Sequence, residues 1–119
     1  MTLKNLFKSA LLLCCIISSS IVFAQQLPAP EVRAKNQTGW MQNNLKLTPE
    51  QNQKAYAINL AHAQEVDKIL AAGGDKAKLE AAHNKKDGGL QALLTPEQFK
   101  KNQAHEAQMK QKMQKAQNK

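Results

Sequence analysis

An all-α fold of about four amphipathic helices is what this 119-residue chain predicts, and three features of it carry the prediction. The pentapeptide Leu47-Thr48-Pro49-Glu50-Gln51 returns unchanged as Leu94-Thr95-Pro96-Glu97-Gln98. Apolar residues recur at alternating steps of three and four, the spacing that lines one face of a helix. No cluster of Val, Ile or Tyr repeats with a period of two, so there is no strand signal.

Residues 1–24 read as a cleaved signal peptide. Lys4 and Lys8 precede an apolar run from Ala10 to Ile17, a polar Ser18-Ser19-Ser20 patch follows, and Val22 and Ala24 stand where a signal peptidase reads, leaving Gln25 first in the mature chain. The apolar run is too short to span about 30 Å of hydrocarbon, and no charged stop-transfer flank follows it. Neither Cys14 nor Cys15 is preceded by the small residue a lipoprotein signal needs. Both cysteines leave with this segment, so an exported chain enters an oxidising compartment without a disulfide. Its stability must come from packing, and its expected location is the periplasm.

Residues 25–31 carry Pro28 and Pro30 among polar neighbours and read as a flexible lead-in to a single helical domain over 32–117, with 118–119 as a frayed tail. A first helix is expected from Val32 to Leu45, carrying Trp40, Met41 and Leu45, although Thr38 and Gly39 lower its propensity. The second should open at Pro49 and run to about Ala72. Ala55, Ile58, His62, Val66 and Ile69 form its stripe, and Gly73-Gly74 its stop. A third helix starts near Asp75 and uses Leu79, Ala82, Leu90 and Leu93; it either continues through Gly88-Gly89 or divides there. The fourth opens at Pro96, with Phe99, Asn102, Glu106, Met109, Met113 and Ala116 on a stripe that is apolar only in part.

The repeat explains two of those starts. In each copy Thr48 or Thr95 is the N-cap, Pro49 or Pro96 takes the first helical position, and Gln51 or Gln98 sits third, so side chains can meet the orphan amides of a helix opening. Leu94 and Phe99 complete a hydrophobic staple in the second copy, whereas Leu47 faces Asn52 in the first. These residues are read as architectural.

Composition restricts the rest. The mature 95 residues hold only 14 Leu, Ile, Val and Phe, a fraction at which a charged chain folds poorly alone and gains most by sharing its core; a homodimer is expected. With Lys4 and Lys8 gone, 15 basic and 9 acidic side chains leave a net charge of +6.

The paired LTxxQ motifs at Leu47–Gln51 and Leu94–Gln98, separated by a helical segment in an exported chain without mature cysteines, resemble the Spy/CpxP-like periplasmic proteins, and the likeness covers about Ala34 to Lys112. The resemblance implies long, bent helical hairpins in an elongated, cradle-shaped antiparallel dimer, with the two motifs close together to brace the bend. Members act as ATP-independent chaperones, as restrainers of an envelope-stress sensor kinase, or as zinc-responsive relatives. This chain departs from them in its shorter length, the poor first staple and the double glycine.

The chemistry available is limited. After Ala24 there is neither Ser nor Cys, Thr38, Thr48 and Thr95 have no base near them in sequence, and no phosphate-binding glycine loop appears, so the chain is read as a non-enzyme without cofactor. His62, His83 and His105 lie 21 and 22 residues apart, which matches no compact ligand motif; His62 reads as a core-edge residue, the other two as surface, and no metal site is assigned. Trp40, Tyr56 and Phe99 are not interleaved with the lysines, which argues against nucleic acid. Lys100, Lys101, Lys110 and Lys112 are candidate steering charges, equally explained as a solvated face, and Trp40, Met41, Met109 and Met113 candidate apolar contacts. The function expected is chaperone-like binding of unfolded or aggregation-prone envelope proteins, with no stable membrane insertion after signal removal. The alternative is an accessory protein that binds a sensor-kinase domain or responds to zinc.

Overall fold

The structure, a computed structural model, describes residues 27–118, so the signal-peptide reading lies outside the described residues. Four α-helices follow one another: α1 Pro30–Leu45, α2 Pro49–Ala71, α3 Lys76–Leu93 and α4 Pro96–Gln117. Among the described residues there is no strand, and no helix is long and apolar enough to cross a membrane. The first helix opens two residues earlier than its apolar pattern suggests, because Pro30 takes the first position and its fixed φ and missing amide suit a helix start.

Helix α2 is the centre of the arrangement, packed between α1 and α3. Arg33 meets Asp67 and Thr38 meets Asn59, a falling register that sets α1 antiparallel to α2. The buried row on α2 is Ala55, Asn59 and Ala63, with Ile69 beyond. The predicted stripe is therefore only partly the buried one: Ile58, His62 and Val66 are half-buried. A single stripe presumes one partner, whereas α2 has two, and its small residues face α1 while Ile58 and His62 meet Gly89 and His83 of α3.

That contact also resolves the double glycine. Helix α3 runs unbroken through Gly88 and Gly89, and a methyl group added at Gly89 would lie 3.4 Å from Ile58 Cδ1. Gly89 sits against Ile58 of α2, where an added methyl would make ordinary van der Waals contact, and its helical neighbours supply the order its own propensity lacks. Real chain reversal occurs at Gly73-Gly74, with φ of +117° and +73°. Gly74 N donates to Ile69 O at 2.8 Å and Gly73 N to Leu70 O at 3.2 Å, a Schellman closure, after which the Asp75 carboxylate accepts from Ala77 N at 2.9 Å to open α3.

The apolar core is small: Met41, Leu45, Ala55, Leu90 and Leu94, with Trp40, Leu47, Ile58, Leu93 and Phe99 packed against it. Leu94 and Phe99 lie in this cluster together, as the staple requires. Helix α4 touches α1 and α3 over its first turns only, and every described residue from Ala107 to Asn118 is exposed.

The glycines give a direct check. Gly73→Ala should lower stability in urea melts by about 1–2 kcal/mol, since φ of +117° is hostile to an L side chain. Gly88→Ala, in a helix interior with nothing within 4 Å of the added carbon, should raise it by about 0.5–1 kcal/mol.

Candidate functional site

The two LTPEQ motifs meet. Each forms a complete capping box: Thr48 Oγ1 accepts from Gln51 N at 3.1 Å while Gln51 Oε1 accepts from Thr48 N at 3.0 Å, and Thr95 and Gln98 repeat this at 3.2 and 3.0 Å. The carboxamide then has an amide group to spare. Gln51 Nε2 donates to Gln98 Oε1 at 3.0 Å and to Leu93 O at 3.4 Å, while Gln98 Nε2 donates to Leu45 O at 3.1 Å and to Gln51 Oε1 at 3.4 Å. Each glutamine thus starts its own helix and satisfies the last carbonyl of the helix that precedes the other motif. Two helix beginnings and two helix ends are joined in one clasp. Leu94 is buried and Leu47 half-buried against the core, and Pro49 and Pro96 are exposed at their first helical positions.

Beyond the clasp the inter-helix seams turn polar. Asn59 Nδ2 donates to Thr38 Oγ1 at 2.9 Å in the buried α1–α2 contact. Between α3 and α4, Lys86 Nζ donates to Glu106 Oε1 at 2.9 Å, and the Lys86 side chain is only 5% exposed. His83 Nε2 lies 3.3 Å from Asp87 Oδ2 and 3.7 Å from Glu106 Oε2. The ring of His62, on α2, stands edge-on to that of His83 with centroids 6.2 Å apart. Burial first, then the positive charge of Lys86 and the proximity of His83, lower the His62 pKa to about 4 against the opposing pull of Glu106 and Glu65. Three helices therefore contribute His62, His83, Lys86, Asp87 and Glu106 to one cluster of titratable groups.

A family model described as Domain of unknown function (DUF4890) matches residues 23–119. The chain belongs to this family. No curated protein and no solved structure matches it in the corresponding comparisons.

The DUF4890 fold distributes the remaining candidates unevenly. Met41 is fully buried, its sulfur 3.5 Å from Asn59 Nδ2, so it is a core residue out of reach of a client in this conformation. Trp40 is half-buried and stacks on His105 of α4, with ring centroids 3.6 Å apart and planes within 13°. Beside it an open groove of about 660 Å³ between α1 and α2 is lined by Trp40, Tyr56, Lys35, Asn43 and Asn52. Met109 and Met113 are exposed on the free half of α4, as are Lys110 and Lys112 there and Lys100 and Lys101 nearer its start.

Lys86 and Asn59 are hidden from sequence reasoning, whereas Asn102 and Glu106 stand on the expected α4 stripe without their partners being evident. Lys86 looks like half of a solvated Lys85-Lys86 pair, yet it is buried. A signal did exist: Asn102 and Glu106 occupy inward positions of the α4 stripe, where polar residues need buried partners. His83 and Asp87, four apart on α3, also form a pair on adjacent turns that a search for His–His spacing passes over.

The His62 shift sets a pH dependence. Its folded pKa lies below the unfolded value of 6.5, so the unfolded chain binds the extra proton between the two values. Stability from this group is complete above about pH 6.5 and declines as pH falls toward 4. Chemical melts from pH 7 to 4.5 should show that decline, and His62→Gln should flatten it; an unchanged slope would contradict the assignment.

Proposed function

We propose that this chain is an exported, ATP-independent chaperone-like protein that works in the periplasm as a homodimer and binds unfolded or aggregation-prone envelope proteins. The observation that carries the reading is the unpacked second half of α4. Every described residue from Ala107 onward is exposed, Met109 and Met113 stand at 44% and 63% exposure, and Lys110, Lys112 and Lys115 surround them.

The physics of such a surface suits transient capture. Lysines draw acidic, partly unfolded chains at a rate that depends on ionic strength. The unbranched thioether side chains of Met109 and Met113, four residues apart on one face, then adapt to varied apolar segments. The groove beside Trp40 and Tyr56 offers a second surface, two aromatic rings set among amide side chains and Lys35. The likeness of the paired motifs to those of the Spy/CpxP-like proteins points the same way. The sparse core, whose contiguous cluster of five includes an alanine, supports the dimer reading, since a second copy would add apolar burial.

Purified protein at stoichiometric excess should suppress aggregation of a denatured model substrate at low salt and suppress it less as salt rises. A Met109→Ser/Met113→Ser variant should lose several-fold of this effect with helicity unchanged, since neither residue packs on the core. Aggregation that proceeds unaffected at low salt would refute the chaperone reading, and a solution mass of one chain would refute the dimer.

A further inference from the structure

The geometry points to a divalent-metal site of the Zn²⁺ type at the α3–α4 seam, with His83 Nε2, Asp87 Oδ2 and Glu106 Oε2 as its three protein ligands. The three residues place one ligand atom each within 4.8 Å of one another. A tetrahedral Zn²⁺ with bonds of about 2.0–2.2 Å holds its ligand atoms about 3.3–3.6 Å apart. The imidazole nitrogen lies 3.3 Å from Asp87 and 3.7 Å from Glu106, and the two carboxylates offer oxygens within 4.8 Å of each other, a set that must draw in on the carboxylate side to close on the ion.

One of the three ligand atoms, Glu106 Oε2, is not otherwise satisfied. Glu106 Oε2 and Asp87 Oδ1 are buried without a hydrogen-bond partner. Buried carboxylate oxygens are normally bonded, and an ion in this place supplies the partner that Glu106 Oε2 lacks, while Asp87 Oδ1 lies beside the ligand oxygen of its own carboxylate. Lys86 does not compete for the same atom: its ammonium holds Glu106 Oε1 at 2.9 Å, which turns Oε2 toward His83 in the way an outer group orients a metal ligand. It also neutralises one of the two negative charges, so a bound dication leaves a single net positive charge in the cluster.

The positions of the ligands provide both rigidity and access. His83 and Asp87 project from adjacent turns of α3, Glu106 comes from α4, and the ion therefore ties two helices that otherwise touch sparingly. The side chains of Asp87 and Glu106 are 22% and 17% exposed, while that of His83 is 46% exposed and forms the entrance. A mixed imidazole and carboxylate set with one position left for water favours Zn²⁺ over Mg²⁺ or Ca²⁺, which prefer oxygen alone.

Calorimetric titration of the purified protein with ZnCl₂ at pH 7 should show one ion per chain. His83→Ala and Asp87→Asn should each weaken binding at least tenfold, while His105→Ala, whose ring stacks on Trp40, should leave it unchanged. In the wild-type protein, nitrogen-detected imidazole spectra should show Zn²⁺ shifting the His83 Nε2 resonance, a readout independent of any variant. Absence of stoichiometric uptake, uptake insensitive to His83→Ala, or an unmoved His83 resonance would overturn the site and leave the cluster as an ion-pair network alone.

Discussion

The reciprocal hydrogen bonding of Gln51 and Gln98 is the constraint on which the rest of this structure depends. A carboxamide has one acceptor and one donor group, and each glutamine uses the first at home, on the amide of its own N-cap, and the second abroad, on the opposite motif and the carbonyl closing the other hairpin. The beginnings of α2 and α4 are thereby fixed relative to the ends of α1 and α3. Glutamate at either position would cap its helix equally well and could not donate across. The identity of the fifth residue in both repeats has a physical reason that capping alone does not supply.

Such a device matters because apolar burial is sparse. Among the described residues five form the contiguous buried apolar cluster, and the α1–α2 contact is made largely by Ala34, Thr38, Ala55, Asn59 and Ala63. Small residues bring helix axes close but remove little apolar area from water, so directional bonds must set the register. Thr38–Asn59, Arg33–Asp67 and Lys86–Glu106 each link different helices. The last of these lies in a seam where losing one partner strands a buried charge, a defect worth about 3–5 kcal/mol. Packing of this kind is specific rather than strong, and it leaves the outer half of α4 with nothing to fold against.

Much of this was legible in the residues. Thr, Pro and Gln at fixed offsets announce two helix starts, Gly73-Gly74 announces a stop, and the absence of a two-residue period removes strands. Less could be read where one residue serves two neighbours. The α2 stripe of Ile58, His62 and Val66 was a mixture of two faces, since the helix is covered on both sides. Met41 looks like any methionine near a tryptophan until the register with Asn59 buries it. Gly88-Gly89 looks like a break because local propensity carries no information about Ile58 on another helix. The cluster around Glu106 was the hardest to foresee, for it joins three helices and no short motif spans it.

Function in this account follows from what the clasp leaves unpaired: a basic, methionine-bearing arm on one side and a polar seam on the other. Both require that α4 be held over its first half, by the glutamine pair at its start and by Glu106 and His105 further on, and be free beyond them. The most direct measurement is a double-mutant cycle on unfolding free energy with Gln51→Ala, Gln98→Ala and the combination. Reciprocal bonding predicts that the double variant loses less than the sum of the singles by about 0.5–3 kcal/mol. Losses that add to within about 0.3 kcal/mol would show two independent capping boxes, and the clasp would be contradicted.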